Sequence, residues 1–327
     1  MQDITKECET VNELVRIVSK RRSAKNTFAE LGFKNIELSD KDLVTEYLMK
    51  YPSKSCERAF ANIYLWSYKY PVTWAIIEKT LVFKSEDDGH LAFAFPAGED
   101  EDIKNALNSL EVACKEKEID FALYLVTPEN YAKLENWYPG KFSVEYDRDS
   151  ADYVYEMESL ATLAGKKLHG KRNHINHFLA EFTGRWTYEA ITDENVEDCF
   201  EMALKWRKES ECEDDPEKAA EVCVTLNSLR LLKELDLRGG CLRLDGKIVA
   251  FTVGEPLSED TFVVHIEKAY AEVNGAYPMI NQQFILHECA NFKYINREED
   301  TGSEGLRQAK MSYRPAFMVE KGQVKLK

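Results

Sequence analysis

One order of elements occurs twice along this chain, so the fold has to accommodate two copies of a single unit. Ile36-Glu37-Leu38-Ser39-Asp40-Lys41-Asp42-Leu43 reads as a short strand, a capping Ser-Asp pair and the start of a helix. Tyr188 to Val196 repeats the device, with Thr192-Asp193 standing 153 positions after Ser39-Asp40. Each following helix gathers apolar residues on one face: Leu43, Tyr47 and Leu48 in the first copy, Val196, Cys199, Phe200 and Ala203 in the second. A hairpin comes next in both. Leu81-Val82-Phe83 leads through Asp88-Gly89 to Leu91–Phe95, and Cys241–Leu244 leads through Asp245-Gly246, 157 positions later, to Ile248–Phe251. Asp-Gly supplies the positive backbone angles a two-residue hairpin turn needs. Each half then reads as a helix, a strand and a closing strand: Ile103–Glu118, Phe121–Val126 and Phe142–Tyr146, then Met279–Asn291, Lys293–Asn296 and Phe317–Glu320. Two related α+β domains follow, residues 1–150 and 151–327, joined by a strand at 152–163. An extra helix is expected around 10–22, outside the repeat.

A length of 327 residues suffices for two cores of ordinary size. The net charge of −15 divides almost evenly between the halves, so it describes a surface and not an acidic tail. Such a surface argues against general DNA binding, whose affinity comes from clustered Lys and Arg, but it leaves room for a local basic site. No apolar run approaches the roughly 20 residues of a membrane helix, and the polar start lacks a signal-peptide core, so a cytoplasmic location is expected. The eight cysteines include no CxxC pair; they read as reduced, mostly buried thiols, and no metal site is expected. The acidic run Glu209–Pro216 reads as an exposed loop.

Three clusters carry chemistry. In the first, Lys166 to His177 holds four basic residues, three histidines and no acid, and Ile175, Phe178, Leu179 and Phe182 continue it as an amphipathic helix. Lys171, Arg172 and Asn173 therefore lie near a helix N-terminus, where cations oppose the dipole unless an anion such as a phosphate compensates; a solvated basic face is the alternative. His174 and His177 lack the carboxylate spacing of a metal site and read as surface residues.

The second cluster is His265-Ile266-Glu267-Lys268-Ala269-Tyr270, followed by Asn274, Tyr277, Pro278 and Asn281. Strand alternation puts His265 and Glu267 on one face, beside the start of a helix that Pro278 favours. Glu267 there serves as a general base or an ammonium anchor, unless it simply pairs with Lys268 or another cation. In the third cluster, Tyr294 to Pro315, a strand enters an acidic glycine-containing loop and then a short helix. Arg307 and Lys310 lie one turn apart there, and either hold an anionic group with Asp300 nearby or pair with acids of their own loop.

Taken in order, Gly170-Lys171-Arg172-Asn173, Glu267-Lys268-Ala269 with Gly275, Tyr277 and Asn281, and Asn296 to Gly302 with Leu306 to Lys310 resemble the soluble C-terminal domain of bacterial phosphatidylglycerol lysyltransferases and their relatives. The resemblance spans about residues 30–320 and is most specific over 294–315. It implies two tandem acyl-CoA N-acyltransferase-like (GNAT-like) domains, each a mixed central sheet flanked by helices, similar to the Fem peptidyltransferases. The second domain would carry an acyl- or aminoacyl-transferase site with Glu267 and Asp300 as catalytic candidates. His265, Tyr270, Asn274, Tyr277, Asn281, Arg307 and Lys310 would bind substrate, and Lys171, Arg172 and Asn173 the phosphate of the donor. Aminoacyl-tRNA or acyl-CoA is the implied donor, and a small molecule, peptide or lipid headgroup the acceptor. Glu272 to Tyr277 carries one glycine where CoA-binding members of this fold place a glycine-rich loop, which weakens the case for CoA without eliminating it. An acetyl-CoA-dependent N-acetyltransferase and an inactive binding module are the alternatives.

Overall fold

The computed structural model describes residues 26–87, 90–209 and 216–327. The helix expected near 10–22, the Asp88-Gly89 turn and most of the acidic run after Glu209 lie outside them. Among the described residues, twelve strands form one continuous mixed sheet in the order β1-β2-β3-β4-β5-β12-β6-β11-β10-β9-β8-β7, with β1 (Lys34–Asn35) at one edge. In the first half, β2 (Val72–Ile77), β3 (Thr80–Asp87) and β4 (His90–Ala94) are antiparallel neighbours, and β5 (Ala122–Val126) joins β4 in parallel. In the second half, β7 (Trp186–Ala190), β8 (Arg238–Leu244), β9 (Lys247–Pro256) and β10 (Thr261–Ala269) are antiparallel, and β11 (Tyr294–Asn296) joins β10 in parallel. The repeat expected from the sequence is therefore a repeat of topology within one mixed α+β fold.

Local chemistry explains the elements that position the site. Asp245 and Gly246 have φ of 50° and 80°, the pattern of the primed turn that matches strand twist, and they close the β8–β9 hairpin. The helix Asp100–Glu116 opens on Asp100, Glu101 and Asp102, which suit the positive end of its dipole, and buries Ile103, Ala106, Leu107 and Leu110 against the sheet at helical spacing. Five of the cysteines are buried free thiols and Cys223 is half-buried.

The sheet joins the halves through two long strands. β6 (Phe142–Glu156) pairs with β11 at its C-terminal end, and β12 (Phe317–Leu326) lies between β5 and β6. β12, expected to close the second half, thus also pairs with a strand of the first and carries Lys321 into the middle of the molecule.

Candidate functional site at the parted strands

Both parallel pairs come apart almost as soon as they form. β10 has nine residues but meets β11 only at Thr261–Val263 against Tyr294–Asn296, and β4 meets β5 only at Phe93–Ala94 against Leu123–Tyr124. Past Asn296 the chain leaves β10 and stays with β6: the Arg297 amide donates to the Tyr153 carbonyl, and the Tyr153 amide donates to the Glu298 carbonyl. A cavity of about 350 Å³ faces both partings, lined by Phe95 and Tyr124 from one and by Glu298, Glu299 and Thr301 from the other. Arg58, Asn62, Glu57, Ser85 and Asn130 add to its polar lining; Trp66, Tyr70 and Phe83 form much of its apolar wall. This volume and mixture suit a small organic ligand.

A β-bulge decides which side chains reach this cavity. The β9–β10 register slips between Val264 and Ile266, so His265 and Glu267 do not share a face as simple alternation predicts. Phe262 contacts Phe284 of the helix Ala276–Glu288, and Glu267 accepts from Asn281 of that same helix at 2.8 Å. His265 points the other way, with Nδ1 2.8 Å from Glu298 and Nε2 2.9 Å from Glu255. Gly254 lies opposite Val264, where a Cβ would sit 2.2 Å from the Val263 carbonyl oxygen; only glycine lets the backbones approach there.

On the cavity face the ionisable groups form a buried network. Burial alone would lower the His265 pKa, but its hydrogen bonds to Glu255 and Glu298 override this and push it up to about 10, so it is an imidazolium at neutral pH. Glu298 also accepts from Asn62 at 3.0 Å, and both contacts fall on Oε1, which leaves Oε2 for the cavity. Lys321, almost wholly buried, sits 2.7 Å from Asp152, 2.6 Å from Glu57 and 3.7 Å from Glu299. Burial opposes its charge, yet Asp152 and the neighbouring carboxylates hold it well above an ordinary lysine. Asp152 accepts from the Cys56 amide at 2.8 Å and from Asn296 at 2.9 Å. Cys56, Glu57 and Asp152 bring possible metal-ligating atoms within 4.8 Å of one another, and the Lys321 ammonium provides the cation for that cluster. Glu299 is the least compensated acid: burial pushes it up to about 7, against the pull of Lys321.

The loop carrying these acids is pinned from behind. Lys310, on the helix Glu304–Met311, donates to the carbonyls of Arg297 (2.6 Å), Glu298 (3.2 Å) and Glu299. Asp300 accepts two bonds from Arg307, at 2.8 and 2.9 Å, one from Arg148 and one from Tyr153, and Arg307 also reaches Asp149. Asp300 and Arg307 are therefore paired within the loop, and these clamps hold Glu298 and Thr301 at φ of 57° and 49°. The Arg307 hydrogen bonds hold Asp300 well below the usual carboxylate range, which stabilises the fold above pH about 4 and ceases to do so as pH falls through the folded value. Arg307→Gln is expected to lower stability at pH 7, because Asp300 loses its two guanidinium hydrogen bonds. Its gap to the parent in urea unfolding should narrow below pH about 4, where the unfolded chain takes up the proton that folded Asp300 still resists; a pH-independent gap would refute the assignment.

The remaining expected residues fall elsewhere. Lys171, Glu267 and Asn281 do come together, on the face away from the cavity, with Arg297 and Tyr313. Arg297 donates to Glu267 at 2.8 Å, and the Lys171 ammonium lies 4.1 Å from the Tyr313 ring centroid. Arg297 Nη1 and Asn281 Oδ1 have no hydrogen-bond partner among the described residues. Arg172 donates to the Leu163 and Gly165 carbonyls, while Asn173 contacts His169. Tyr270 is buried beneath Lys205; Asn274 and Tyr277 are exposed near the start of the helix Ala276–Glu288. Arg58, Glu298 and Glu299 were assigned no role from the sequence, although both glutamates lie inside its most specific segment.

Solved structures share this architecture. A conserved protein of unknown function from Bacteroides thetaiotaomicron is 38% identical, with a TM-score of 0.86 over 91% of this chain and 100% of that one. The L-PGS of Bacillus licheniformis is 13% identical with a TM-score of 0.61 over 88% and 91% of the two chains. FemX, at 10% identity and a TM-score of 0.51 over 89% and 96%, shares the fold. An uncharacterised protein of Mycoplasmoides gallisepticum is 25% identical over 193 residues; the match covers 58% of this chain and 61% of that relative. No helix among the described residues is long and apolar enough to cross a membrane. Residues 49–321, which include both partings and the whole Asn296–Gly302 loop, match the profile described as phosphatidylglycerol lysyltransferase, C-terminal, and the chain belongs to that family.

Proposed function

We propose that the protein transfers an aminoacyl group from aminoacyl-tRNA to an amine or hydroxyl acceptor held in the cavity between the parted strands. The observation that carries the reading is Glu299, a carboxyl near neutrality that lines this cavity. A base of that strength is half ionised near pH 7 and can take a proton from an incoming nucleophile. The nucleophile attacks the ester carbonyl, its proton passes to Glu299, the ester C–O bond breaks, and the ribose oxygen leaves with a proton. Family membership supports the reaction class.

Glu267 has a different part in this reading. Its two oxygens already accept from Arg297 and Asn281, so it ties the end of β10 to the loop after β11 from the far face. The exposed Lys166 and Lys167 offer a basic approach for the donor's phosphates. The test is a transfer assay with a pool of radiolabelled aminoacyl-tRNAs and a mixture of small amines and hydroxyl compounds. Label is expected to move from tRNA into a small product in an enzyme-dependent way. Release of free amino acid at the buffer rate, with no product, would reject the proposal.

A further inference from the structure

Arg58 lines the cavity, and its guanidinium is anchored at one end only. Nη2 donates to the Phe95 carbonyl at 3.1 Å, whereas Nη1 is buried without a hydrogen-bond partner. Arg58 pairs with no carboxylate among the described residues, and burial lowers its pKa only to about 10, so it is cationic at neutral pH. A cation with an unused buried donor at the wall of a ligand-sized cavity leaves a desolvation cost that an anionic group would offset. Acids line the same cavity: Glu299, and Glu298 with its free Oε2. The wall formed by Ile63, Trp66, Tyr70, Val72 and Phe83 is mostly apolar and gives an apolar side chain much to pack against.

We infer that the acceptor is a free α-amino acid with an apolar side chain, its carboxylate on Arg58, its ammonium toward Glu298 and Glu299, and its side chain against the Trp66–Phe83 wall. This identification rests on the transfer reading above. The donor is excluded from the Arg58 position because its carboxyl is esterified and carries no charge. In the resulting step the acceptor ammonium gives one proton to Glu299. The amine nitrogen bonds to the donor carbonyl carbon, the ester C–O bond breaks, and the second nitrogen proton leaves with the ribose hydroxyl. The product is a dipeptide and uncharged tRNA.

Calorimetry with L-leucine, L-leucinamide and 4-methylpentanoate separates the contributions. L-leucine is expected to bind to the parent protein at least about tenfold more tightly than either analogue, since the amide lacks the carboxylate and the acid lacks the ammonium. Arg58→Gln should bind L-leucine about tenfold more weakly and no longer distinguish it from the amide. Arg58→Lys should keep part of that preference; a merely structural role for Arg58 would weaken all three ligands alike. Equal binding of L-leucine and L-leucinamide to the parent, or no binding of L-leucine at millimolar concentration, would overturn the inference. The transfer assay is run alongside with L-leucine present. Label transfer to other acceptors but not to L-leucine would overturn the inference and leave the transfer reading standing. Carboxylate-dependent L-leucine binding without transfer from any aminoacyl-tRNA would sink the transfer reading, and the acceptor role with it.

Discussion

Glu299→Gln is expected to lower the rate of aminoacyl transfer by about 10²- to 10⁴-fold, the span that a positioned general base usually supplies. The substitution keeps the shape and a hydrogen-bonding end but removes the proton acceptor. It also relieves the fold of a buried carboxyl that is uncomfortable when charged, so unfolding measurements should find the variant no less stable than the parent at pH 8. Activity and stability therefore move independently, which distinguishes lost chemistry from lost structure. Glu267→Gln is the comparison: it lies outside the cavity lining, and a fall of less than about tenfold is expected. A larger loss for Glu267→Gln than for Glu299→Gln would return the base role to Glu267.

Lys321→Met should be the most destabilising single change in the buried network. It removes the cation that Asp152 and Glu57 contact directly and leaves both carboxylates in a low-dielectric interior. Breaking one side of such a pair costs about 3–5 kcal/mol. For a chain of this size that corresponds to a fall in Tm of roughly 10 °C. The sign of its pH dependence follows from the orphaned acids. Without Lys321 their folded pKa values rise above the unfolded ones, so the folded variant binds more protons and gains relative stability as pH falls. The gap between parent and variant is expected to be wide at pH 8 and narrower at pH 5. Adding Asp152→Asn to Lys321→Met should recover part of the loss. A variant whose Tm stays within about 2 °C of the parent at pH 8 would show that the network is not what holds β12 in the sheet.

The features legible from the sequence were those written in local chemistry. Asp245-Gly246 dictates a hairpin wherever it stands between apolar runs, and the repeat of caps and turns exposed the duplicated topology. The short helix expected after the acidic loop is Glu304–Met311, and the structure adds its cap: the Ser303 side chain accepts from the Leu306 amide. The site was less legible because it depends on where strands stop pairing. The bulge at His265 reverses the face of Glu267, and its one local signal is Gly254 on the neighbouring strand, a glycine inside a buried β-run. Arg297 and Glu298 are adjacent in sequence but serve opposite faces, one toward Glu267 and the other toward His265. Cys56-Glu57-Arg58 belongs to no motif, and its partner Lys321 is 264 positions away from Glu57, brought back by a strand order that no periodicity encodes.

The most direct test is the pH dependence of the transfer step itself, measured in single turnovers with aminoacyl-tRNA bound and acceptor saturating. The account predicts a rate that rises with pH, is half-maximal near pH 7 and levels off above it, because Glu299 must be ionised to take the proton. That rise should vanish in Glu299→Gln, leaving a slow and flat profile. A parent rate that is flat from about pH 5.5 to 8.5, or a break near pH 7 that survives in Glu299→Gln, would contradict it.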